Sequence, residues 1–414
     1  MPQKSTLVFF LLFVVGLQLS LYAQQLGRTA NRQNNSEGAD IGDQLALQWK
    51  FQTKGVVYAS PIADQDFIYI GSCDSNLYAL HKTTGAEVWR FRSKGEIRSS
   101  VAIAAGLVLF MSTDGVFHAI DAAKGTERWS FQTKGERFFD TWDYYQSSPA
   151  VYDGTVYVGS GDQHIYALDL KSGVLRWRYK TDGIVHASPT VNEDAVFIGS
   201  YDGFFYCLEH SGKLRWRFKT VGQTYFPKGE VQFHAAVADS SVYFCSRDFN
   251  LYALHTKSGT GQWIYHQPGS WTCVPSINKS DLVVTMSDSF TTLVFNKEDG
   301  TLRHKPSVPL NVFSSPTIHN NQAYFGALNG VLYRLNLETG QQESIFQTDA
   351  SKKYSADFFD HDGTMRKDLD ARYQHDINKL FAGYLKMGSI FSTVWVEAST
   401  LYFATADGAV YAIK

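Results

Sequence analysis

Residues 167–177 read ALDLKSGVLRW, and the same phrase stands at 79–89 as ALHKTTGAEVW and at 119–129 as AIDAAKGTERW. Its tryptophan recurs at Trp49, Trp89, Trp129, Trp177, Trp216 and Trp263, and two further copies carry His304 and Ser344 in that slot. The steps are 40, 40, 48, 39, 47, 41 and 40 residues. A period of this size marks a solenoid, propeller or array, whose units bury their apolar faces only against one another. Within the copy ending near Trp177, four runs stand out: YQSSPAVY (145–152), TVYVGSG (155–161), HIYALDL (164–170) and VLRWRYK (174–180). Asp153-Gly154, Gly161-Asp162 and Ser172-Gly173 separate them. Short runs rich in Val, Tyr and Ile between such turn residues predict four antiparallel strands in tight hairpins.

The chain ends set the number of units. Residues 390–414, IFSTVWVEASTLYFATADGAVYAIK, supply three strand signals and no tryptophan-bearing fourth, while LQWKF (47–51) is such a fourth strand without a unit of its own. Pairing the two joins the ends and removes the open edge. The expectation is an all-β fold: an eight-bladed β-propeller of four-stranded blades, closed by the N-terminal strand. A tryptophan at the end of each outer strand fills the gap where blades diverge and offers one N–H to a carbonyl. The glycine four residues before it (Gly85, Gly125, Gly173, Gly212, Gly259, Gly300, Gly340) sits in the preceding turn, where positive φ is expected.

The phrase A-x-D-x-x-[ST]-G-x-x-x-W, complete at Ala167, Asp169, Ser172, Gly173 and Trp177, resembles the tryptophan-docking repeat of pyrroloquinoline-quinone-type β-propellers. His81 and His255 replace its Asp, and Lys124 its Ser/Thr. The likeness covers residues 45–348 and 389–414. That superfamily holds quinone-dependent dehydrogenases and the propeller subunit of the outer-membrane β-barrel assembly machinery. Its enzymes carry adjacent cysteines against the quinone, and many a C-x-x-C-H haem motif; neither occurs here. Nor does the subunit's lipid-anchoring cysteine follow the leader.

Composition narrows the classes further. The chain of 414 residues is 44% hydrophobic and only 19% charged, which suits a large packed core and not a disordered chain. A formal charge of −2 without a basic run gives no nucleic-acid footprint. Residues 1–23, with Lys4 ahead of an apolar run at 7–19 and Leu21-Tyr22-Ala23 before Gln24, read as a cleaved signal peptide. Export to the periplasm or beyond follows, with no transmembrane segment in the mature chain. Residues 24–44 read as a flexible polar leader, and 45–414 as the propeller with an insertion at 349–388. Cys73, Cys207, Cys245 and Cys273 lack metal or redox spacing and read as small core residues.

Three long connections, 136–145, 222–232 and 349–388, all lie between an outer strand and the next inner strand, and so emerge on one face. Long connections on one face of a rigid scaffold carry binding. Trp142, Tyr144, Tyr225, Phe226, Tyr373 and Phe381 are the candidate partner-facing aromatics. Tyr373, Ile377, Leu380, Phe381, Tyr384 and Leu385 repeat at helical spacing and predict an amphipathic helix, either a rim cap or a docking element. Aligning the SSP-like phrases gives one residue per blade at the channel mouth: Tyr58, Arg98, Gln146, His186, His234, Thr272, Phe313 and Phe391. This column reads either as a ligand site or as a hydrated pore lining. A second column, Asp74, Asp114, Asp162, Asp202, Asp248, Asp288, Asn329 and Asp407, falls in hairpins and reads as turn chemistry. The expected function is a non-catalytic binding or scaffold protein of the cell envelope, with an envelope protein or a glycan as partner. No cofactor or metal is expected. The alternatives are a quinone-dependent dehydrogenase using pyrroloquinoline quinone and calcium, and a carbohydrate-binding propeller.

Overall fold

The computed structural model describes residues 23–414, so the signal-peptide reading of 1–23 falls almost wholly outside the described residues. Eight sheets stand around an axis; seven contain four consecutive antiparallel strands, and two of these take a fifth strand from the segment 24–36. Blade 3 is typical, with strands Ala150–Tyr152, Thr155–Ser160, His164–Asp169 and Leu175–Lys180 from the axis outward. Blade 8 is composite: Trp395–Glu397, Thr400–Ala404 and Ala409–Ile413 are completed by Leu47–Gln52. Trp49 pairs with Ala412 and Phe51 with Val410, so the first and last parts of the ring share one sheet.

Two contacts per blade join neighbours. On the outside, each tryptophan docks on the turn glycine of the next blade. A β-carbon at Gly85 would fall 2.5 Å from Trp49, and one at Gly125 2.6 Å from Trp89. These glycines also have positive φ, +68° at both positions, so backbone and contact each demand glycine. The indole N–H donates to a carbonyl of the same turn: Trp49 to Lys82 (2.9 Å), Trp177 to His210 (2.7 Å) and Trp216 to Thr256 (2.9 Å). His304 uses its ring the same way, its Nε2 lying 3.0 Å from the Glu338 carbonyl over Gly340. Ser344 has no such turn to meet, because in blade 8 the chain ends replace it. There Arg334 bonds Asp43 and Glu343 at 2.7 and 2.6 Å, and Ile41 is buried across the seam.

Near the axis the serines of the SSP phrase join the blades. Thr393 N–H donates to Ser60 Oγ, Ser60 N–H to Ser100 Oγ, Ser100 N–H to Ser148 Oγ and Ser148 N–H to Ser188 Oγ, at 2.8–2.9 Å. The hairpin aspartates bind outgoing connections. Asp162 accepts from the Lys134 and His164 N–H groups and the Tyr166 hydroxyl, and Asp202 and Asp248 repeat the arrangement.

The structure differs from the expectation of a flexible leader at 24–44. Gln24–Gln25 pairs with the inner strand of blade 2, and Asn35–Ser36 lies parallel to that of blade 7. Between them the carbonyls of Ala30, Asn31, Gln33 and Asn34 accept N–H bonds from Val191, Val237, Ile277 and Ile318, on successive blades 4 to 7, at 2.7–3.0 Å. Inner strands have a free edge toward the axis, and this segment satisfies it. Arg32 is fully buried and donates to the carbonyls of Pro189, Leu26, Ser148 and Pro149. Burial pushes its guanidinium down to about 10, with the Tyr145 hydroxyl opposing, so it remains charged at neutral pH. The Asn, Gln and Arg content that reads as a solvated leader is what bonds the floor of the channel.

Trp177→Ala is expected to cost about 3 kcal/mol through the lost docking contact. Gly212→Ala is expected to cost about 2 kcal/mol from backbone strain alone; urea unfolding midpoints measure both. Removing residues 24–36 is expected to expose the amides of Val191, Val237, Ile277 and Ile318 to rapid hydrogen exchange while distal blade amides stay protected.

Candidate functional site

The three long connections emerge on one face, called the upper face here, opposite the floor. The loop 136–146 is fixed by a fully buried histidine. His186 Nδ1 lies 2.7 Å from Asp143 Oδ1 and Nε2 3.0 Å from Glu136 Oε2, so both ring nitrogens meet carboxylates of the insertion. Tyr201 donates to Asp143 Oδ1 (2.8 Å) and Phe139 N–H to its Oδ2 (2.7 Å). Burial alone would push the imidazole down; Asp143 and Glu136 outweigh it and raise the group to about 9.

A second knot centres on Arg247, which holds Asp140 through both terminal nitrogens (2.6 and 3.2 Å) and donates from Nε to Gln232. Rings of Phe139, Tyr201, Phe226 and Trp271 surround its guanidinium at 4.6–5.7 Å. Gln232 in turn donates to the Trp142 carbonyl, so loops 136–146 and 222–232 form one body.

The insertion 349–388 covers the channel mouth. Its helix spans Ile377–Lys386 and not the longer stretch from Tyr373, because Gln374 and His375 take positive φ and Asp376 caps the helix through the Asn378 and Lys379 N–H groups. Phe381 packs on Trp142 (5.0 Å), Tyr384 on Phe358 (5.3 Å), and Thr141 donates to Asn378 (3.0 Å). Tyr373 stacks on Phe358 at 5.7 Å.

The mouth column therefore lies beneath a cap. Tyr58, Phe313 and Phe391 are buried in an aromatic cluster with Tyr144, whose ring is 4.7 Å from Phe391 and 5.3 Å from Tyr58. Leu26 from the floor segment joins the same cluster. Arg98 is half-buried, bonded to Glu96, with its guanidinium 4.7 Å from the Phe138 ring. Gln146 and His234 are buried, and neither the Gln146 amide nor His234 Nε2 has a hydrogen-bond partner among the described residues. Burial and the Arg32 charge push His234 well below the usual histidine range. No hydrogen bond or ring contact joins His186 to His234. Thr272 opens the inner strand of blade 6. Among the described residues no three His, Cys, Asp or Glu side chains are grouped to hold a metal ion.

Of the partner-facing candidates, Tyr144 and Phe381 are core, Trp142, Phe226 and Tyr373 are half-buried, and Tyr225 is 81% exposed. Phe138, Phe139 and Ile377 are the other large apolar groups that the three insertions expose. The sequence reading passed over Arg247, Tyr201, Asp143 and Glu136. A signal existed for two of them: the slot before the hairpin acid holds Cys73, Thr113 and Gly161 in blades 1 to 3, but Tyr201 and Arg247 in blades 4 and 5. A pocket of about 370 Å³ opens above the cluster between Tyr58, Arg98, Phe138, Tyr144, Asn378 and Phe381. A groove of about 890 Å³ runs between the outer edge of blade 7 and the insertion. No helix among the described residues is long and apolar enough to cross a membrane.

These features define a propeller of the pyrroloquinoline-quinone-like class. The family model described as outer membrane protein assembly factor BamB matches residues 32–181, 140–270 and 247–414, and the chain belongs to that family. Its fold is similar to the crystal structure of BamB from Moraxella catarrhalis, with a TM-score of 0.67, 16% identity, and coverage of 89% of this chain and 99% of that one. It is also similar to quinohemoprotein alcohol dehydrogenase from Comamonas testosteroni, with a TM-score of 0.71, 13% identity, and coverage of 94% and 80%. Among curated proteins, the beta-alanine-activating enzyme of Mus musculus is 29% identical over 98 residues, 24% of this chain; the match spans 9% of that protein's length.

His186 has its pKa at about 9 in the fold and about 6.5 when unfolded. A raised pKa stabilises below the unfolded value, and the contribution disappears as pH rises through the folded one. Thermal stability is therefore expected to fall between about pH 6.5 and pH 9, and His186→Gln is expected to be less stable at pH 6 and to lose that slope. Differential scanning calorimetry across the range checks it.

Proposed function

We propose that this protein is a non-catalytic binding scaffold of the cell envelope, working through its upper face. The observation that carries the reading is the way the three insertions are built. Ion pairs of His186 and Arg247 fix the first insertion, Gln232 bonds the second to it, and Asn378 and Phe381 dock the third on Thr141 and Trp142, yet Phe139 (49% exposed), Tyr225 (81%) and Ile377 (51%) are presented to solvent. Large apolar side chains on a fixed surface are what a protein interface uses as anchors. Membership of the BamB family supports envelope proteins as the partners and the periplasm as the place.

The alternative, a quinone-dependent dehydrogenase, draws support from the dehydrogenase-like fold alone, and fold does not carry chemistry. The residues on the axis do not fit a planar quinone. Tyr144, Phe313 and Phe391 fill the mouth beneath the helix, and Leu26 closes on them from below.

Tyr225→Asp and Ile377→Asp, singly, are expected to leave the unfolding midpoint within about 0.5 kcal/mol of the parent. They are expected to weaken co-purification with envelope assembly partners at least about tenfold, as for anchor residues. Val174→Asp, in a hairpin on the opposite face, is the control and is expected to change neither. Titration with pyrroloquinoline quinone and calcium, followed by tryptophan fluorescence, separates the alternative: saturable quenching would overturn the non-catalytic reading.

A further inference from the structure

The upper-face pocket has walls of a particular kind. Tyr58, Phe138, Tyr144 and Phe381 present four aromatic rings, and Ala382 and Leu385 of the helix complete the apolar part. Tyr58 and Tyr144 are only 8% and 4% exposed. Neither hydroxyl has a hydrogen-bond partner among the described residues, and neither belongs with the fully sequestered orphan atoms such as those of Gln146. Two tyrosines more than nine-tenths buried thus line the pocket, and no hydrogen bond among the described residues satisfies either hydroxyl. Buried hydroxyls are ordinarily paired, because leaving one unmade costs more than making it gains. At the rim, Asn378 Oδ1 accepts from Thr141 while its Nδ2 has no partner among the described residues, and Phe138 is 40% exposed over the opening.

The charges around the pocket are spent on one another. Arg98 pairs with Glu96, Asp140 with Arg247, and Asp143 with His186. An ionic ligand finds no unpaired counter-charge. A purely apolar ligand would leave both tyrosine hydroxyls and the Asn378 amide unpaired. What satisfies both halves of the pocket is an uncharged ring with apolar C–H faces and a hydroxyl-bearing edge.

We propose that this pocket is a sugar subsite that takes one neutral pyranose unit of an envelope glycan. The ring stacks against Phe138 and Phe381, and its hydroxyls meet Tyr58, Tyr144 and Asn378. The volume of about 370 Å³ lies at the small end of ligand sites, as a single ring requires. The inference deepens the binding-face reading and rests on it: the same surface that carries the exposed anchors Phe139 and Ile377 would hold a glycan beside a protein partner.

The test is saturation-transfer NMR on the purified protein with the methyl glycosides of glucose, galactose, mannose and N-acetylglucosamine. The expected result is transfer to ring C–H protons of at least one glycoside, with a dissociation constant of about 1 mM. Tyr58→Phe and Tyr144→Phe, which keep the rings and remove only the hydroxyls, are expected to weaken binding about three- to tenfold each. Phe138→Ala, at an exposed rim position, is expected to weaken it further while the unfolding midpoint holds. Absence of transfer from all four glycosides would overturn the proposal, and so would transfer unchanged in Phe138→Ala and Tyr144→Phe. If the glycosides fail while Tyr225→Asp and Ile377→Asp still break an envelope interaction, the pocket serves a protein side chain; the sugar proposal is then wrong and the binding-face reading stands.

Discussion

The contact on which this molecule depends is the one between an outer-strand tryptophan and the turn glycine of the next blade. A four-stranded blade has two apolar faces and covers neither by itself. The indole of Trp89 lying on Gly125, with its N–H on the Ala122 carbonyl, seals one such face and fixes the spacing to the neighbour in a single interaction. Repeated around the ring it sets blade number and pitch together. Between blades 6 and 7 the His304 ring takes the indole's place over Gly340, and between blades 7 and 8 the contact cannot form, because the turn is made of chain ends. There Ser344 stands in the slot, and the segment around Ile41 and Asp43 bridges the gap.

Toward the axis the problem changes from apolar faces to unpaired backbone. Inner strands crowd together, so their residues are small, and their free edges point into the channel. The serine relay from Thr393 through Ser188 pairs some of these groups between blades. The segment 24–36 pairs others from below, almost one residue to a blade. With the floor built this way and the aromatic cluster above it, protein closes the channel from both ends, and the proposed binding surface is the upper face.

That face is held by charges that burial makes costly. His186 between Asp143 and Glu136, and Arg247 on Asp140, pay the desolvation of ionic groups for a defined loop shape, because any other arrangement leaves a buried charge unpaired. The result is a stiff platform assembled from segments that have no regular secondary structure of their own between residues 136 and 146. A rigid platform loses little entropy when it binds, which suits a scaffold.

Much of this was legible in the chain. Strand periodicity, the tryptophan interval, the incomplete last unit and the placement of all three insertions on one face are local or periodic properties, and each blade repeats the same physics, so errors do not accumulate. The candidate site was legible only as positions. His186 and Arg98 could be assigned to a column, but their partners Glu136, Asp143 and Phe138 come from an insertion that no periodicity aligns. The leader misled for a related reason: Gln25, Arg32, Gln33 and Asn34 have a solvated composition, and nothing nearby in sequence shows that Ser148, Val151, Pro189, Val237 and Pro316 will offer them backbone groups. The sequence by itself determined the blade, its count and its outer seams, because these arise from contacts repeated at a fixed interval. Only the tertiary structure decided that the channel is closed at both ends and that a pocket lies between the first and third insertions on the upper face, because those features join segments more than a hundred residues apart that meet only once the ring has closed.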